Sequence, residues 1–130
     1  MKLLEEAEKA AGKRFGGVTL CAWSAGCGSL RAILKHQEDS ERVRRVILID
    51  GVHASYHSGR PGPLESDLDS TSLDPLVAFA RRAIRGEKRM LVTHSEIFPG
   101  TYASTTETAD WLPRQLRLER KAVLKWARNS

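Results

Sequence analysis

One serine in this 130-residue chain stands in a setting that could make it a nucleophile. A serine hydroxyl attacks poorly at its ordinary pKa, so it must be exposed, have a base within hydrogen-bond reach and face donors for a developing oxyanion. Val18-Thr19-Leu20-Cys21-Ala22-Trp23 is a short apolar run of strand type, and Ser24-Ala25-Gly26-Cys27-Gly28 follows it at once. Beyond Ser24 the apolar period changes. Leu30, Ile33 and Leu34 recur at i, i+3 and i+4, which predicts a helix to about His36. A sharp turn from strand to helix exposes the serine and directs the helix's free N–H groups at the reaction centre. Ala22 and Gly26 are small enough for such a turn to approach its neighbours, and Gly26 and Gly28 are expected to let the helix pack closely on its strand.

In doubly wound sheets, functional groups collect at the carboxyl ends of strands. The chain offers three such ends: Ser24, then Asp50 with His53 close behind, then His94 with Ser95 and Glu96. They supply a hydroxyl, a carboxylate and an imidazole, with His53 as a substitute base and Glu96 as a substitute acid. Each has a plainer role beside the catalytic one. Ser24 can cap a helix in a Rossmann-like fold, Asp50-Gly51 can simply end a strand, and His94 can bond backbone. His36 and His57 read as solvent-facing.

The elements that must position these groups follow from periodicity and punctuation. Leu3, Leu4, Ala7, Ala10 and Ala11 share one face of a surface helix ending near Gly12, and Gly16-Gly17 turns the chain into the first strand. The charged stretch from Gln37 to Arg42 reads as a loop. Val46-Ile47-Leu48-Ile49 is uninterrupted and apolar, as in a strand buried on both faces. Gly51 to Ser72 is a long loop by composition, expected to lie over the site with Tyr56 and Pro61 to Leu64. Asp74-Pro75 reads as an N-cap and first helical residue, with Leu76, Phe79, Ala80, Ala83 and Ile84 as the buried stripe and Gly86 as the stop.

Met90 to Thr93 is a third strand, and Ser104-Thr105-Thr106-Glu107 fits a capping box opening another helix. Pro113 interrupts that helix after about two turns. Beyond it, Gln115 to Leu118 resumes a helix and Ala122-Val123-Leu124 forms a fourth strand; the alternative is one basic helix from Arg114 to Arg128. Strand and helix thus alternate. The pattern predicts a single α/β domain over residues 1–130, a three-layer sandwich with a short parallel sheet of three or four strands. So small a sheet leaves edges that need cover, which points to a homodimer.

The pattern Ala22-Trp23-Ser24-Ala25-Gly26, between a buried strand and a helix, resembles the nucleophile elbow of the α/β-hydrolase family, with alanine in place of the first glycine. The resemblance implies a serine hydrolase of ester or related acyl substrates, working through an acyl-enzyme. Ser24, Asp50 and His94 fall in the family's order of nucleophile, acid and base, and Ala25 N–H would be an oxyanion-hole donor. The family ordinarily carries its base after a later strand, yet no histidine follows His94, and the strands that normally precede the elbow are missing. The likeness over residues 3–126 therefore corresponds to the carboxyl-terminal part of a usual hydrolase domain, and the expectation is a partial one.

Composition narrows the class. Apolar residues make up 41% and charged residues 28%, ordinary globular values. The net charge of +5 is local: from Pro113 onward six bases face one acid, and the rest of the chain is balanced. That argues against a nucleic-acid footprint, which needs a distributed basic face. No apolar run reaches membrane-span length and the start lacks a secretory h-region, which predicts a cytoplasmic protein. Cys21 and Cys27 read as small buried residues rather than a disulfide or metal pair, and no metal or organic cofactor is expected. The expected partner is a small acyl substrate. The reading from another class is a non-catalytic Rossmann-like module, or a truncated hydrolase fragment, that binds a protein partner or an anion at the Ser24 to Gly28 helix terminus.

Overall fold

The computed structural model describes residues 2–57, 68–99 and 102–122. The chain is α/β, with a three-stranded parallel sheet flanked by helices in a small α/β sandwich, the class that the alternation predicts. Helix α1 spans Lys2–Ala11, strand β1 Val18–Trp23, helix α2 Cys27–Leu34, helix α3 Gln37–Arg42 and strand β2 Val43–Ile49. The two-residue strands β3 (Ser55–Tyr56) and β4 (Leu68–Asp69) pair antiparallel. Helix α4 (Asp74–Ile84), strand β5 (Arg89–Thr93) and helix α5 (Thr105–Gln115) follow. The sheet order is β1-β2-β5, with Ala22 opposite Leu48 and Leu48 opposite Val92.

The core lies on one face of this sheet. Val46 and Leu48 of β2 point into it with Leu76 and Phe79 of α4, Leu30 and Leu34 of α2, and Leu73. Burying each such side chain is worth about 1.5–3 kcal/mol. The alternate positions point the other way, as the period of two in a strand requires. There Trp23 is 71% exposed, Ile49 42% and Leu91 55%, so β2 is buried on one face only. Helices α2 and α4 contact each other as well as the sheet, which places both on the core side. Among the α1 residues whose burial is described, Leu4 alone is buried, and Leu3 faces solvent.

Several local expectations shift for identifiable reasons. Gln37–Arg42 is a helix, not a loop. Glu38 and Asp39 lie at its positive end and Arg42 at its negative end, and Lys88 Nζ donates to the carbonyls of Ser40, Glu41 and Val43 at 3.0, 2.8 and 2.6 Å. Asp74 is the first residue of α4 and makes no cap bond. Instead Asp69 accepts from Thr71 N–H at 3.2 Å and caps the short turn leading into the helix. The long loop carries the β3–β4 pair at its base.

The capping box at Ser104 and Glu107 forms as expected, with both reciprocal bonds present. Helix α5 runs through Pro113 instead of ending there. The proline has no N–H for the carbonyl of Ala109, one turn back, and Arg120 Nη2 donates to that oxygen at 3.3 Å while also pairing with Asp110. A single basic helix from Arg114 to Arg128 does not form, since α5 ends at Gln115 and Arg117 is left-handed at φ +54°. Ala122 belongs to no strand, and Val123 and Leu124 lie outside the described residues.

Candidate active site

All three strands end at one edge of the sheet, and each strand end delivers a polar residue there. Trp23, the last residue of β1, is extended at φ −121°, and Ser24 turns abruptly to φ +49° before a single 3-10 turn, Ser24–Gly26, runs into α2. A positive φ is uncommon for a residue with a Cβ and marks a backbone held against its preference. The turn predicted for a nucleophile therefore forms at Ser24, which is half-buried, with Ala25 exposed beside it. The N–H of Ala25 belongs to the first turn, where amides have no intrahelical acceptor.

The close approach that holds this turn is made by Gly51. A Cβ at position 51 would lie 1.9 Å from Cys27 Sγ and 3.2 Å from Ser24 N, so only glycine lets the end of β2 pass against the turn. The glycines expected to do this do not: a Cβ on Gly26 would make an ordinary 3.9 Å contact with Ala22, and one on Gly28 would meet nothing. Cys27 is buried as expected and burial pushes its thiol pKa up, whereas Cys21 is exposed; both thiols are free.

Asp50 also turns left-handed, at φ +46°, as β2 ends. Its Oδ1 accepts from the Thr105 hydroxyl and, at 2.9 Å, from Ser95 N–H. The Thr105 hydroxyl first, then the Ser95 amide, hold the carboxyl below the usual carboxylate range, with a smaller contribution from the charge of His53. His53, three residues on, is fixed through its backbone: its N–H reaches Gly51 O at 3.0 Å and its carbonyl accepts from Arg31 Nη1 at 2.8 Å. Its ring stands edge-on to Tyr102 at 5.6 Å. His53 Nδ1 is buried and has no hydrogen-bond partner among the described residues, a state that costs free energy and calls for an explanation.

Ser24, Ala25, His53 and Tyr102 line one cavity of about 480 Å³, together with Arg31 and Ser72. His94 does not join them. It is exposed, its Nδ1 lies 3.3 Å from both Ser95 O and Thr106 Oγ1, and it lines a separate apolar groove of about 520 Å³ between α4, β5 and α5 with Met90, Val92 and Leu112. Glu96 is exposed on the same loop. Tyr56, expected over the site, is instead tied to the Glu107 carboxylate at 2.9 Å, and Pro61 to Leu64 lie outside the described residues. Among the described residues no hydrogen bond joins Ser24 or Asp50 to either imidazole.

Comparison of the chain with known protein families, with curated proteins and with solved structures finds no match. The site must be read from its own geometry. Among the described residues no group of three or more His, Cys, Asp and Glu could hold a metal ion, and no helix is long and apolar enough to cross a membrane. Arg31, like Tyr102, is a site residue that sequence reading passed over. Its signal was present: the buried stripe of α2 is Cys27, Leu30 and Leu34, and Arg31 occupies the i+4 place on that stripe.

Proposed function

We propose that the chain is a serine hydrolase of the α/β-hydrolase kind, acting on a small ester or related acyl substrate through an acyl-enzyme on Ser24. The observation that carries this reading is the left-handed strand-to-helix turn at Ser24, which opens into the same cavity as His53. In the reading, His53 takes the Ser24 Oγ proton as the oxygen attacks the acyl carbon, and the oxyanion forms against Ala25 N–H. The tetrahedral intermediate collapses, the alcohol leaves with the proton returned by His53, and water then attacks the acyl-enzyme with the same base. Asp50, held ionised by Thr105 and Ser95, stabilises the imidazolium by its charge. His53 is preferred to His94 as base because it shares the cavity with Ser24. The two free thiols fit a reducing, cytoplasmic setting.

A fluorophosphonate probe tests the reading. It should add its phosphonyl group to Ser24 in the wild type and leave Ser24→Ala unmodified, as read by intact-mass spectrometry. Labelling should slow by about a hundredfold or more in His53→Gln and far less in His94→Gln. Well-folded protein that takes up no label would refute the hydrolase reading, and a large loss confined to His94→Gln would move the base to β5.

A further inference from the structure

Among the described residues that line the Ser24 cavity, Arg31 is the only charged side chain apart from the titratable His53. Its Nη1 is occupied, donating to His53 O at 2.8 Å and to Ser72 Oγ at 3.2 Å. Neither acceptor carries a charge. Among the described residues Arg31 pairs with no carboxylate, while Arg42, Arg82, Arg85 and Arg120 all do. A partly buried guanidinium whose described acceptors are both neutral keeps further N–H donors and a positive charge that no described carboxylate pairs with.

We infer that the Ser24 cavity selects an anionic acyl substrate, one whose acyl chain ends in a carboxylate that pairs with Arg31; this rests on the hydrolase reading of Ser24. The cavity volume of about 480 Å³ suits a small molecule. One guanidinium balances one negative charge, and a planar fork of donors matches a carboxylate. Arg31 lies seven residues beyond Ser24, about two helical turns along α2, so the charge sits apart from the reacting carbonyl. The same side chain holds the backbone of His53, which ties recognition of the acid group to the placement of the base.

The test compares two fluorophosphonates of equal length, one ending in a methyl group and one in a carboxylate, by their rates of Ser24 labelling. The carboxylate probe is expected to react about tenfold faster with the wild type, a charge-assisted hydrogen bond's worth, and the preference should shrink as salt is raised. Arg31→Gln should bring the ratio of the two rates to about one, and Arg31→Lys should restore part of it; reading a ratio removes any general effect on His53. Equal rates in the wild type, or a preference that persists in a folded Arg31→Gln protein, overturn the anion site and leave Ser24 as nucleophile. If Arg31→Gln does not fold, the wild-type ratio and its salt dependence decide. If neither probe labels Ser24, the hydrolase reading fails, and calorimetric titration with glutarate decides the anion site by itself. Binding that is lost in Arg31→Gln upholds it, and no binding overturns it.

Discussion

A left-handed backbone at a residue with a Cβ costs about 1–3 kcal/mol, and two of the site residues, Ser24 and Asp50, adopt one at the ends of neighbouring strands. Glycine removes that cost but also the hydroxyl. Ser24→Gly is therefore expected to raise stability to urea by about 1 kcal/mol over Ser24→Ala while both lose phosphonate labelling; equal stability would show that the turn is unstrained. For Asp50 the sign follows from its lowered pKa. The unfolded chain takes up a proton on this carboxyl more readily than the folded one, so the stabilisation is complete above the ordinary value of 3.8 and is lost as pH falls through the folded value. Asp50→Asn should flatten that acid limb, measured as urea midpoints from about pH 5 down to about pH 2. Ser24 and Asp50 were legible as residues at strand ends. The choice between His53 and His94 was not, because it depends on which side of the sheet edge each loop turns to.

Among the elements, the three strands of the parallel sheet, β1, β2 and β5, could be read and α3 could not, for the same physical reason. Val46-Ile47-Leu48-Ile49 carries its own burial signal, whereas the carbonyls at the end of α3 are satisfied by Lys88, more than forty residues away. Lys88 is buried, sits 5.9 Å over the Phe79 ring and has its pKa pushed down by that burial. Lys88→Met keeps the length but leaves three carbonyls without this donor, and should cost about 2–4 kcal/mol in urea unfolding. A loss under about 0.5 kcal/mol would mean that water replaces the ammonium. Gly51 shows a second kind of illegibility. Its place in an Asp-Gly pair reads as an ordinary turn, yet its contact is with Cys27, which the sequence places on another element. Gly51→Ala should destabilise the fold by about 3 kcal/mol or abolish it, and adding Cys27→Ala, which removes the nearest atom, should recover part of the loss.

At the scale of the whole molecule, the α/β class follows from the alternation of elements, while the open side of the sheet does not. An unbroken apolar run suits a strand covered twice, but the described helices α2 and α4 share one face and leave Trp23, Ile49 and Leu91 in view on the other. Exposed side chains can be replaced at little cost. Trp23→Gln with Leu91→Gln should change the free energy of unfolding in urea by no more than about 0.5 kcal/mol while reducing binding of an apolar fluorescent dye. A drop of several kcal/mol would show that this face is packed in solution. The basic carboxyl-terminal region has a defined job at one residue at least: Arg120 closes the gap that Pro113 leaves in α5.

The two-residue ladder of β3 and β4 sits where the chain leaves His53 and returns toward α4, and Tyr56 is pinned there to Glu107. It works as a clasp at the base of the segment between Tyr56 and Leu68. Doubling the length of a connection costs only about 0.6 kcal/mol of closure entropy, so the clasp separates the length of this segment from the geometry beneath it. His53 keeps its place through bonds to Gly51 and Arg31 that lie on the near side of the clasp, so a change in the segment's length should leave that placement intact.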